Sequence, residues 1–89
     1  MTLEFSNPSR HFEAKRKCVC FWGYDSVIEI SFFLETDALE KLCQKTIGEE
    51  AGYLKIFDDA RKVIHEVAEK VYARGQGSSH VYFLAAEDF

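Results

Sequence analysis

The sequence predicts an α+β fold: an antiparallel sheet of about four strands with two helices packed on one face. Three observations predict it. Two neighbouring runs, Cys18–Tyr24 and Val27–Leu34, are rich in β-branched and aromatic residues and are separated by turn chemistry. A long segment from about Glu49 to Arg74 repeats apolar residues at spacings of three and four, the period of an amphipathic helix. The chain has 89 residues, of which 47% are apolar and 15% aromatic, too apolar to remain disordered and too short for a second core. A single domain over residues 1–89 follows, with elements in the order β-β-β-α-α-β.

Leu3–Ser6 reads as a short first strand, ended by Asn7-Pro8-Ser9 because proline fixes its own φ and biases its predecessor away from helix. Arg10–Arg16 reads as a polar connection with one apolar anchor, Phe12. Cys18–Tyr24 and Val27–Leu34 then form a hairpin with Gly23 and Asp25-Ser26 as turn residues. A loop of Asp25-Ser26 sets Phe21 opposite Ile30 and Val19 opposite Phe32. A loop of Tyr24-Asp25 changes the partners and keeps the faces, since side chains alternate with period two. Val19 and Phe21 thus share a face with Ile28, Ile30, Phe32 and Leu34, and that face is the core.

Thr36 and Asp37 are N-cap candidates, and Asp37 with Glu40 has the spacing of a capping box; a short helix to about Thr46 would bury Leu39 and Leu42. Ile47-Gly48 breaks it. In the long helix the stripe is Tyr53, Phe57, Ala60, Ile64, Val67 and Val71, widened by Leu54, Ala68 and Tyr72, and Gly75 is placed for a left-handed C-cap. Gln76–Ser79 reads as a flexible loop. His80–Ala85 reads as a last strand returning beside the hairpin to complete an antiparallel sheet.

Composition narrows the function classes. The formal net charge of −4 does not supply the basic field that a nucleic-acid or anionic-membrane binder needs, and the one basic cluster is Lys15-Arg16-Lys17. No apolar run approaches a membrane span, and the first residues lack the basic start and apolar stretch of an export signal. A cytoplasmic protein with three reduced thiols, Cys18, Cys20 and Cys43, is the expectation. Cys18-x-Cys20 has no second ligand cluster to complete a zinc site, so neither metal nor cofactor is expected. Nucleophilic catalysis needs a thiol beside a base; Cys18 and Cys20 lie mid-strand, and Cys43 sits at the unfavourable end of its helix. No catalytic motif emerges.

Read in order, Asn7–Arg10, Val19 through Asp25, Ala38-Leu39, Phe57 with Arg61-Lys62-Val63-Ile64, Ala68 through Gly75 and Asp88-Phe89 give the chain its family likeness. It resembles a bacterial family of short proteins known as domain of unknown function 1488. The resemblance implies a proteobacterial protein with an α+β fold, and it implies no reaction and no catalytic residues.

Two surfaces are candidates for function. Parity puts Cys18, Cys20, Trp22 and Tyr24 with Val27, Glu29, Ser31 and Phe33 on the hairpin face away from the helices. A sheet covered on one side should be polar on the other. Trp22, Tyr24, Phe33, Cys20 and Val27 make this face apolar, which marks either a homodimer or partner-protein interface, or a surface covered by Phe12 or Phe89 of the same chain. Such a module could also dock through a free edge of the hairpin. The second surface is a polar group of Arg10, His11 and Asp25, which would bind a small anionic ligand or support acid–base chemistry if the three converged. The favoured reading is a non-enzymatic, homodimeric interaction module.

Overall fold

The core grows from the alternation in the central hairpin. In the computed structural model, which describes residues 3–75 and 78–89, Val19 and Phe21 from one strand and Ile30, Phe32 and Leu34 from the next are all at most 2% exposed. They pack on Ala38, Leu39, Phe57, Ile64 and Ala68 from the helices. The elements are β1 (Arg10–Glu13), β2 (Cys18–Asp25), β3 (Ile28–Glu35), α1 (Thr36–Cys43), α2 (Glu50–Asp59), α3 (Arg61–Arg74) and β4 (Val81–Leu84), followed by a single 3-10 turn at Ala86–Asp88.

The fold is α+β, with four strands in the spatial order β1-β2-β3-β4. Four details differ from the sequence reading. First, β4 pairs with β3 in parallel, so the sheet is mixed and not purely antiparallel. The reason is the crossover: a parallel neighbour needs a long connection, and three helices carry the chain from the end of β3 back to its beginning.

Second, the first strand is Arg10–Glu13, the segment expected to be a connection; Arg10 pairs with Phe21 and Glu13 with Cys18. Leu3–Ser6 contributes one antiparallel bridge, Glu4 to Tyr24, with backbone bonds of 2.9 and 2.8 Å, while Leu3 inserts into the core.

Third, the long helix is two. Ala60, at φ −109° and ψ 16°, separates α2 from α3. No proline or glycine marks the break, and Tyr53, Phe57, Ile64, Ala68 and Tyr72 stay buried in phase across it, which is why periodicity read it as continuous.

Fourth, the hairpin loop is Ser26-Val27, because Asp25 pairs with Ile28. The partners shift by two, to Phe21 with Phe32 and Val19 with Leu34, and the faces are unchanged. Ser26 takes φ 58°, the sign that primed hairpin turns require at their first central residue. Gly23 therefore lies within β2, not in the turn, where a Cβ would stand 2.8 Å from the Phe5 ring; the missing side chain lets Phe5 close over the sheet.

Caps also differ. Neither α1 nor α3 has a side-chain N-cap bond, and Gly75 is right-handed at φ −78°. The left-handed residue that ends α1 is Gln44, at φ 58°. Glu40, expected in a capping box, instead accepts the Tyr53 hydroxyl at 2.6 Å and the Ile47 N–H at 3.2 Å, tying α1 to the start of α2. The loop expected over Gln76–Ser79 lies partly outside the described residues.

Candidate functional site

The strand registers lay out the sheet face that no helix covers. Its rows are Glu13–Cys18–Glu35, then His11–Cys20–Phe33–Phe83, then Trp22–Ser31–Val81, then Tyr24–Glu29. Phe83 is 60% exposed and Val81 44%, while Trp22, Tyr24 and Phe33 are half-buried. Phe33 and Phe83 stack across β3 and β4 with ring centroids 5.3 Å apart. Arg16 places its guanidinium over Phe33, 5.3 Å from the ring centroid, and holds Glu13 at 3.2 Å.

The two chain segments that could have hidden this face do not. Phe12 turns to the helix side and stacks on Tyr53 at 5.7 Å, and Phe89 packs against the core. Four of the five residues picked from the sequence, Cys20, Trp22, Tyr24 and Phe33, lie together on the face. Val27 does not: it sits at the tip of the hairpin loop, 92% exposed, because the turn falls one residue later than expected. The hairpin also has no free edge along most of its length, since β1 and the Glu4 bridge line one side and β4 the other. Sequence reasoning missed Val81 and Phe83; their apolar character was visible, and their face follows only from the β4 register.

The edge at β4 is partly closed as well. The Ser79 hydroxyl accepts the Val81 N–H at 3.1 Å and donates to the Val81 carbonyl at 3.0 Å, occupying groups that a further strand would need. Beside this partly closed β4 edge the broad face stays open, with Phe83 and Val81 exposed on it.

The polar candidates do not come together. Arg10 points to the helix side and grips Asp58 through two bonds of 3.0 and 2.9 Å; Arg61 adds a third at 2.9 Å and reaches the Pro8 carbonyl at 2.8 Å. These arginines hold the Asp58 carboxyl below its ordinary pKa, the Arg10 hydrogen bond most of all. His11, next to Arg10 in sequence, is on the opposite face beside Cys20. Asp25 lies four residues along β2 from the Arg10 partner, about 13 Å away, and accepts the Tyr72 hydroxyl at 2.6 Å. That bond raises the Tyr72 pKa to about 12. These are fastenings between sheet and helices.

Other chemistry is similarly quiet. Burial, before any other cause, pushes Cys20 up to about 12 and raises Cys18, so both stay thiols. A cleft of about 410 Å³ between β1, α1 and α2 is lined by Phe12, Lys17, Glu40 and Tyr53 among others. Its phenol donates to Glu40 and is held protonated by that bond, so it offers no base. Among the described residues, no group of three or more His, Cys, Asp or Glu is placed to hold a metal ion, and no helix is long and apolar enough to cross a membrane.

Comparison with known proteins follows the same line. No curated protein matches the chain. A crystal structure of a protein of unknown function from the DUF1488 family of Shewanella loihica PV-4 is similar in fold, with a TM-score of 0.76 at 19% identity, covering 90% of this chain and 89% of that one. The family model described as protein of unknown function, DUF1488, matches residues 3–84, and this chain accordingly belongs to the DUF1488 family.

Proposed function

We propose that the chain is a small protein-docking module with no catalytic role of its own, and that its working surface is the open sheet face around Trp22, Phe33, Val81 and Phe83. One observation carries this reading: Phe83 and Val81 are 60% and 44% exposed on the single sheet face that neither the helices nor Phe12 nor Phe89 covers. Keeping a contiguous aromatic face in water is unfavourable, and aromatic anchors at the centre of a patch are the usual carriers of binding energy. The second reading, an anion-binding or acid–base site at Arg10, His11 and Asp25, lacks support because Arg10 and Asp25 bind different helix residues at separate places on the inner face and His11 lies on the opposite face.

A photo-crosslinking residue tests the proposal when placed at Phe83 and, as a control, at Val63, which is 46% exposed on α3. Protein adducts formed in the source cells from position 83 and not from position 63 are the expected result. Equal yields at both positions, or none at either, would remove the docking face.

A further inference from the structure

The docking reading leaves the partner open, and the charges around the face narrow it. At one end of the face lies the β1–β2 turn with Lys15, Arg16 and Lys17, all exposed, Arg16 reaching over Phe33 with its side chain 58% exposed. At the other end Glu29 is exposed and accepts the Tyr24 hydroxyl at 3.2 Å, with exposed Glu4 bridged to Tyr24 beside it. Glu13 and Glu35 flank Cys18 at the first end, Glu13 pairing with Arg16 at 3.2 Å. Three exposed cations against two half-buried carboxylates leave that end net basic, while Glu4 and Glu29 make the other acidic and the aromatic rows lie between. The row Trp22–Ser31–Val81 lies midway between the Phe33 row and the Glu29 row.

Resting on the docking reading, we infer that the partner is a second copy of this chain, docked face to face about a two-fold axis crossing the strands over the Trp22–Ser31–Val81 row. That rotation carries the Arg16 end of each copy onto the Glu29 end of the other and sets the two tryptophans against each other. A two-fold axis running along the strands would instead bring Arg16 to Arg16 and Glu29 to Glu29, and like charges in register disfavour it. A self-complementary patch with opposite charges at its two ends is what an isologous contact requires.

The size of the face sets the strength. Two strands of eight residues and two of four, about 4.8 Å apart, present roughly 400 Å². A stable interface buries about 800 Å² per partner, so the association is weak and reversible, with a dissociation constant of tens of micromolar or more.

Sedimentation velocity on the full chain from about 5 to 500 μM is the test, with the charge variants as its second arm. The expected result is a monomer–dimer equilibrium in which R16E and E29R each weaken association at least about fivefold, and the double variant R16E/E29R restores it. Far-ultraviolet circular dichroism of each variant establishes that it is folded. A wild-type chain that stays monomeric throughout overturns the inference; adducts from position 83 with a different protein would then still leave the docking reading standing. A dimer that the double variant fails to restore overturns the arrangement.

Discussion

The two faces of the sheet share strands, backbone and even residue types, yet they meet opposite fates. Phe32 and Phe33 are neighbours in β3: the first is fully buried, stacking on Phe21 at 5.2 Å and on Tyr82 at 5.9 Å, and the second is half-buried beneath Arg16 beside exposed Phe83. On the inner side Ile30, Leu34 and Leu84 complete a layer closed by Phe57, Ile64 and Ala68. On the outer side no second layer closes over it among the described residues. Apolar content thus identifies a buried surface only where a second layer exists to bury it; elsewhere the same residues constitute a surface for contact.

The largest effect expected from this contrast is in the phenylalanine pair. Phe32→Ala should destabilise the chain by about 3–5 kcal/mol, most of the stability of a domain this small, whereas Phe33→Ala should cost about 1 kcal/mol or less. Urea unfolding of the two variants at low protein concentration measures the difference. Equal losses would mean that the outer face is already packed in the monomer.

The cysteines sharpen the contrast, because Cys18 and Cys20 belong to the outer face but are only 3% and 6% exposed. Cys20 bonds to Glu13 at 3.8 Å, and burial keeps both thiols protonated. A thiol reagent at pH 8 should label half-buried Cys43 well before either of them. The folded state retains a proton that the unfolded chain releases above the ordinary thiol value of 9.0, so this stability is present below pH 9 and is lost as pH rises toward about 12. The urea midpoint should fall from pH 8 to pH 10, and the double variant C18A/C20A should flatten that decline.

The smallest effect marks the boundary of the face. Val27→Ser, at the exposed loop tip, should leave self-association unchanged, while Phe83→Ser should weaken it about tenfold with little loss of stability. Sedimentation reads both, and sensitivity at Val27 would extend the contact surface to the hairpin tip.

Much of the candidate site could be read from residues 18–34 alone, since alternation with period two fixes which side chains travel together whatever the loop register. Cys20, Trp22, Tyr24 and Phe33 share one face whether the turn is Asp25-Ser26 or Ser26-Val27. Arg10–Glu13 reads as a connection because a charged, four-residue edge segment carries little β signal of its own; its pairing with β2 makes it a strand.

The sequence by itself determined the hairpin, its two apolar faces and the helical phase of residues 50–74, because each is written in a local repeat of side chains. Only the tertiary structure decided that Ala60 divides the helix, that β4 runs parallel to β3, and that Val81 and Phe83 join the open face. Those outcomes depend on where the crossover sets the chain down, and four apolar residues in a row specify neither a direction nor a neighbour.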